Sequence, residues 1–373
     1  MSEIHFNKEE GSQIKLFTPG PVYIPERILK EMAKPNDTHR SKPYAEMHQL
    51  VEEGLKKLLF TSNNCLISTS SATGLMEACV RNLVKKDEKA LFFSIGAFGD
   101  RWYKIGVSNG KVAVKEGVEW GKPITPEFAQ EALNKDKYAV VFIQSNETST
   151  GVYNPINEVV PVIKDFGALV CVDATSSMAG IKIEVDKLGI DVCLASVQKS
   201  FTIPPGLALC SISKAAIEKT SQVKNRGFYF DFLDLVKRSE KHQTPTTPPI
   251  PQIRALAAQL DYILNHEGLE KRFERHERLG KRTRMWARDI NFEMFPEKGY
   301  ESNTVSTMKN SLDIDIGKMV STLLGKGYRI VNGYGDLKNK TFRIGHMGEV
   351  TVKDLENMLK ILTDIVSDLR LNQ

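Results

Sequence analysis

The chain lacks the marks of a membrane, nucleic-acid or metal protein. No apolar run approaches the roughly 20 residues that span a bilayer. The N-terminal stretch MSEIHFNKEEGSQ is polar and acidic and has no apolar core of a signal peptide. A cytoplasmic protein with no membrane partner is expected. The net charge of +5 is small for 373 residues, and Lys and Arg are interleaved with Asp and Glu. Without a basic stripe, no nucleic-acid partner is expected. The five cysteines, Cys65, Cys79, Cys171, Cys193 and Cys210, are scattered and mostly set in apolar runs. They have neither zinc-ligand spacing nor the density of a disulfide framework, so they read as core thiols. The seven histidines form no HxxxH pattern, and no metal is expected.

What is present is an ordinary globular composition, 41% hydrophobic and 26% charged. The length predicts two unequal domains. Residues 43–60 carry apolar side chains at helical spacing. Short apolar strands follow at 64–68, 89–95, 111–116, 138–144, 168–172, 191–196 and 207–213. Helical segments at 74–83, 100–107, 126–133 and 157–167 alternate with them. Fully apolar strands alternating with helices predict an α/β fold with a mostly parallel, seven-stranded sheet covered on both faces. After about residue 250 the pattern changes to a smaller α+β region. It has a long charged helical stretch over 251–291, strands at 303–309 and 342–347 and a closing helix at 352–370. The Pro- and Thr-rich stretch QTPTTPPIP, 243–251, reads as a linker. The expected division is a polar segment 1–16, a large domain 17–250 and a small domain 251–373.

Ligands of open parallel sheets bind at the carboxyl ends of the strands, and three polar features lie there. STSSATG, 68–74, opens a helix and is compatible with a phosphate site or with ordinary N-capping. Asp173 ends the strand ALVCV, as an N-cap, a metal ligand or a partner for a bound cation. Lys199 follows DVCLASVQ, either at the surface or as a buried amine made nucleophilic toward carbonyls. Together they are the three things that pyridoxal phosphate requires: an amine for its aldehyde, a carboxylate for its pyridinium nitrogen and an anion site for its phosphate.

The run VDATSSMAGIKIEVDKLGIDVCLASVQKSFTIPPGLALCSIS, 172–213, resembles the class V, fold-type I pyridoxal-phosphate enzymes. It is most similar to their alanine–glyoxylate and serine–pyruvate aminotransferase branch. FTPGPV (17–22), MEA (76–78), GAFGDR (96–101), ETSTG (147–151) and FRIGHMG (342–348) fall in the family's order, over about residues 17 to 365.

The resemblance implies a role for each matching residue. Lys199 holds the cofactor as a Schiff base and then moves the proton, while Asp173 pairs with the pyridine nitrogen. Ser71, Ala72 and Thr73 hold the phosphate, with Gln198. Phe98 stacks on the cofactor ring, Ser149 sits near the ring's 3′-hydroxyl, and Arg343 grips the substrate α-carboxylate. Thr247 reaches the phosphate of the neighbouring subunit, which implies a homodimer with shared active sites. His346, beside Arg343, reads as a structural residue or a lining of the substrate pocket. Ala72 departs from the family, which usually has glycine there.

The implied reaction is transamination between a small amino acid, alanine or serine, and a 2-oxo acid, glyoxylate or pyruvate. A transaminase for another amine, such as 2-aminoethylphosphonate or ureidoglycine, is the alternative. A lyase such as a cysteine desulfurase fits less well. Gln198 stands before the lysine where those enzymes have histidine, and no cysteine follows Cys210.

Overall fold

The structure is a computed structural model and describes residues 14–371. The first thirteen residues of the expected polar segment 1–16 lie outside the described residues.

Seven strands build one large sheet: β1 (Asn64–Ser68), β2 (Lys89–Ser94), β3 (Val112–Gly117), β4 (Val140–Gln144), β5 (Leu169–Asp173), β6 (Val192–Ser196) and β7 (Ala208–Ile212). Their order is β1-β7-β6-β5-β4-β2-β3. Only β7 runs antiparallel to its two neighbours, so the sheet is mostly parallel as expected. The central strands are apolar because both faces are covered, while the edge strand β3 mixes exposed and half-buried residues. Phe92 and Phe142 pack into the core on one face, and Phe93 and Ile143 into the core on the other. The five cysteines are all buried and unpaired, four of them on these strands.

Three helices matter for the site. Helix α1 (Lys42–Leu58) starts at Ser41, whose hydroxyl accepts the Tyr44 N–H. Helix α2 (Ala72–Leu83) follows β1, and α3 (Ala97–Ser108) follows β2. Both α2 and α3 begin two or three residues earlier than their apolar periodicity suggests. That shift sets Thr73 and Phe98 in first turns.

The smaller unit has an antiparallel sheet of β8 (Val305–Lys309), β9 (Val331–Asn332) and β10 (Thr341–Gly345), with β10 in the middle. Its core joins Trp286, Met308, Phe342, Ile344, Leu355 and Leu362. Two segments pack across the expected domain bounds. Helix α4 (Ile250–Asp261) packs on α1, and Ile253, Leu256 and Leu260 enter the large core. The stretch 251–291 is not one helix. A π-helical turn, Tyr262–Glu267, and Gly268 at φ +84° separate α4 from α5 (Leu269–Asp289). At the other end, Lys15–Leu16 pairs with Tyr328–Arg329, and Phe17 enters the small core. The described part of the chain therefore starts on the small unit and crosses the carboxyl edge of the large sheet at Thr18–Pro21. Among the described residues, no helix is long and apolar enough to cross a membrane.

Candidate active site

The carboxyl ends of β1, β5 and β6 open into one cleft of about 330 Å³, lined by Gly20, Ser71, Ala72, Thr73, Met76, Phe98, Arg101, Thr148, Asp173, Thr175, Gln198, Lys199 and Tyr334. Larger hollows on the surface, such as the lysine-rich one around Arg81 and Lys111, lie away from these strand ends.

Lys199 and Asp173 are 8% and 4% exposed, so an amine and a carboxylate share a nearly dry site. The Lys199 ammonium donates to the Pro19 carbonyl, on the segment that crosses from the small unit. Burial, and then the Arg343 charge, pulls its pKa from 10.5 down to about 8; Asp173 and Glu147 oppose the shift. A lysine with this pKa gives up its proton near pH 8 rather than above 10, and the neutral amine is nucleophilic. Burial raises the Asp173 pKa, while hydrogen bonds from Thr175 and the charges of Lys199 and Arg101 hold it down. The Thr175 N–H and hydroxyl both donate to Oδ1 of Asp173. Among the described residues no hydrogen bond reaches Oδ2, which leaves that oxygen for a ligand.

Ser71 is the N-cap of α2, but its side chain makes no capping bond. The first N–H groups of the helix, with the positive end of its dipole, therefore face the cleft uncapped. Gln198 lines the same wall and accepts a hydrogen bond from Ser196.

Arg343 lies in the middle of β10 and is 7% exposed. Its Nε and Nη2 donate to the Asn332 carbonyl at 3.3 Å, and its Nη1 to the Thr148 carbonyl at 3.3 Å. Among the described residues no carboxylate lies within ion-pair distance. Burial lowers its pKa to about 10, so it keeps its charge at neutral pH. A buried guanidinium held only by long bonds to carbonyls keeps the capacity to pair with an anion.

Three expected positions do not line the cleft, and the first of them, Arg343, stands behind Thr148 and Tyr334, which do. Ser149 is fully buried behind the cleft; its hydroxyl donates to Glu147 Oε1 at 2.6 Å and accepts the Ala97 N–H at 3.0 Å. The adjoining Thr148 lines the cleft instead. Thr247 is exposed and does not line the cleft of its own chain. His346 is also outside the cleft: it is fully buried, shares a 2.9 Å hydrogen bond with Ser306 Oγ, and burial drives its pKa down to about 3. It is a neutral core histidine.

Residues that sequence patterns did not single out complete the site. Glu147, fully buried, accepts the N–H groups of Phe98 at 3.0 Å and Gly99 at 3.1 Å through Oε2, and the Ser149 N–H at 3.0 Å through Oε1. It anchors the first turn of α3 and so fixes Phe98. Arg101 and Tyr334 flank Phe98 at the mouth of the cleft. Glu147 and Arg101 stood in the quoted ETSTG and GAFGDR runs, but nothing in their spacing marked them. Tyr334 had no signal, because only the fold brings it to Phe98.

Among the described residues, no group of three or more His, Cys, Asp or Glu is arranged to hold a metal ion. The chain is 39% identical to an uncharacterised aminotransferase of Methanocaldococcus jannaschii, over 89% of this chain and 87% of that protein. It is 31% identical to a serine–glyoxylate aminotransferase of Arabidopsis thaliana, over 95% and 90%. The crystal structure of an alanine–glyoxylate aminotransferase from Nostoc superposes with a TM-score of 0.91 at 25% identity, covering 97% of this chain and 98% of that one. The family model described as aminotransferase class-V matches residues 16–317. With that match over most of its length, the chain belongs to the class-V aminotransferases.

Proposed function

We propose that this aminotransferase uses pyridoxal phosphate to exchange the amino group of a small amino acid, alanine or serine, with the oxo group of glyoxylate or pyruvate. We propose further that it works in the cytoplasm as a homodimer. The observation that carries the reading is that buried Lys199 and Asp173 line one cleft, with buried Arg343 directly behind its Thr148 and Tyr334 wall.

The residues present fit the cofactor. Oδ2 of Asp173 is free to accept from a pyridinium N–H. The uncapped first turn of α2, with Ser71, Ala72, Thr73 and Gln198, would hold the phosphate. Ala72 is compatible with this, since its backbone N–H, not its methyl group, does the binding. Phe98 offers an aromatic face in the cleft. When bound, pyridoxal phosphate supplies an aldehyde that condenses with amines and a pyridinium ring that accepts the electron pair released at the substrate Cα.

The chain's own groups do the rest. Lys199 provides the amine that holds the aldehyde at rest. Once released, and with its pKa near 8, it would take the proton from the substrate Cα and deliver it to the former aldehyde carbon of the cofactor, so that the amino group stays with the cofactor. Asp173 keeps the ring nitrogen protonated through its negative charge. Arg343 binds the substrate carboxylate bidentately and fixes which Cα bond faces Lys199. The nearly dry cleft strengthens each of these electrostatic effects.

The names of the Arabidopsis and Nostoc relatives, serine–glyoxylate and alanine–glyoxylate aminotransferase, support the choice of substrates. Thr247 is exposed away from its own cleft, as a residue serving a neighbouring subunit would be. The test is a screen of amino donors against glyoxylate, pyruvate and 2-oxoglutarate, read by the cofactor's visible absorbance. Alanine or serine should bleach the band, and glyoxylate or pyruvate should restore it. A band that no small amino acid changes would sink the proposal.

A further inference from the structure

One guanidinium group, Arg101, lines the cleft and a second, Arg343, lies behind its Thr148 and Tyr334 wall, and among the described residues neither has a carboxylate within ion-pair distance. Arg343 is the buried one. Arg101, half-buried on α3, extends Nη1 to Thr73 Oγ1 at 3.3 Å and Nη2 to the Tyr334 hydroxyl at 3.1 Å. Tyr334 stands between them. The Arg343 Cζ lies 5.5 Å from its ring centroid, and its ring stacks on Phe98 at 5.6 Å with an interplanar angle of 23°. Arg101 lies over the same Phe98 ring, 4.8 Å from its centroid. A residue of the small unit thus bridges to the large one across the mouth of the cleft.

The turn that carries Tyr334 has a fixed shape. It links β9 to β10, and the Gly333 N–H donates to the Thr341 carbonyl and to the Asn332 side chain, both at 2.7 Å. The Asn332 side chain also accepts the Asn339 N–H at 2.8 Å. A Cβ on Gly333 would stand 2.0 Å from the Leu337 carbonyl oxygen, so only glycine permits this path. Gly335, at φ +56°, turns the chain back. Such a turn presents its tip as a wall.

We infer that Tyr334 determines substrate specificity: its ring limits the side chain that the cleft accepts, and its hydroxyl occupies the Arg101 guanidinium that would otherwise take a second carboxylate. The inference rests on reading the cleft as the transaminase site. A small monocarboxylic acid needs Arg343 alone. A dicarboxylic acid needs Arg101 as well, and the ring stands in its way. A guanidinium prefers a carboxylate to a phenol oxygen, since the carboxylate adds the opposite charge and can accept two parallel N–H bonds. Removing the ring should therefore release a latent dicarboxylate site.

The test compares the cofactor-loaded wild type with Tyr334→Ala, Tyr334→Phe and Tyr334→Ala/Arg101→Gln. Calorimetry measures the binding of two unreactive acids, maleate and propionate, and steady-state kinetics measures the kcat/KM ratio of 2-oxoglutarate to glyoxylate. Tyr334→Ala should raise both the maleate-to-propionate affinity ratio and the kinetic ratio at least tenfold. Tyr334→Phe keeps the ring and frees the guanidinium, so it should shift the ratios by a few-fold only. The Arg101→Gln change should cancel the gain. Parallel weakening of both acids, or a gain that survives Arg101→Gln, would overturn the inference. If Tyr334→Ala does not fold, an unchanged maleate ratio in Tyr334→Phe does the same. Acid binding is read without turnover, so a failed donor screen alongside an intact maleate shift would count against the transaminase reading and leave the role of Tyr334 standing.

Discussion

Gly20 makes room for Lys199. A Cβ at Gly20 would stand 2.5 Å from the lysine Cδ and 2.8 Å from its Cε, and the Gly20 backbone sits at φ +109°, where side chains are strained. The segment that crosses from the small unit therefore sets the position of the amine from above, while the end of β6 sets it from below. Gly20→Ala should cost about 1–3 kcal/mol of stability through backbone strain. A displaced amine should lower kcat on the order of a hundredfold. Melting curves and saturating kinetics check both, and wild-type kcat in this variant would show that the close approach is incidental.

Glu147 is expected to act through Phe98. Its two oxygens accept four hydrogen bonds, from Phe98, Gly99 and, twice, Ser149. In Glu147→Gln an NH₂ group must face some of these donors, at a cost of about 1–3 kcal/mol. The variant should melt at lower temperature and also lose cofactor faster on dialysis, because the first turn of α3 carries the aromatic. A lower melting temperature with normal retention would reduce Glu147 to a purely structural residue.

Arg343→Lys keeps the charge and removes the planar fork. Losing a bidentate charged contact of about 2–3 kcal/mol should raise KM for the amino acid and lower kcat/KM by roughly 30- to 150-fold. Methylamine, which has no carboxylate, should react with the bound cofactor equally well in variant and wild type. Unchanged KM for alanine and serine would remove Arg343 from the substrate site.

The free Lys199 amine predicts a pH dependence for the cofactor-free protein. Its folded pKa is about 8, against an ordinary 10.5. Below pH 8 both folded and unfolded chains carry the proton, and burying the charge opposes folding. As pH rises through 8 the folded chain releases the proton and the unfolded chain keeps it until about 10.5. The unfolded state then binds more protons, so the stability contributed by Lys199 rises across this window. Relative to Lys199→Met, urea unfolding of the wild type should gain up to about 3 kcal/mol between pH 7 and 10.5, at roughly 1.4 kcal/mol per pKa unit. A difference that stays flat or falls with pH would mean that the amine is not buried as described.

The sheet and its site were legible in the sequence to different depths. Asp173 and Lys199 could be found because each ends or follows an unbroken apolar strand, where a charge is conspicuous. Glu147 ends no such run, and a buried acid looks like a surface acid until its donors are seen. Ser149 shows the limit of carrying a role along a motif: its hydroxyl turns inward to Glu147, and the adjacent Thr148 meets the cleft. Tyr334 and Phe98 are far apart in sequence, and only the packing of the small unit on the large one brings their rings together. The break at Tyr262–Glu267 was hidden because a π-helical turn keeps helical residue preferences. Helix α4 follows the Pro-rich stretch that reads as a linker, yet its apolar face packs on α1.

The central claim is that Lys199 holds the cofactor covalently. The direct measurement is borohydride reduction of the purified protein, followed by peptide mass spectrometry. The account predicts a reduced pyridoxyl-phosphate group on the peptide bearing Lys199 and on no other lysine. An unmodified Lys199, with the group on another lysine or with none attached, would contradict it.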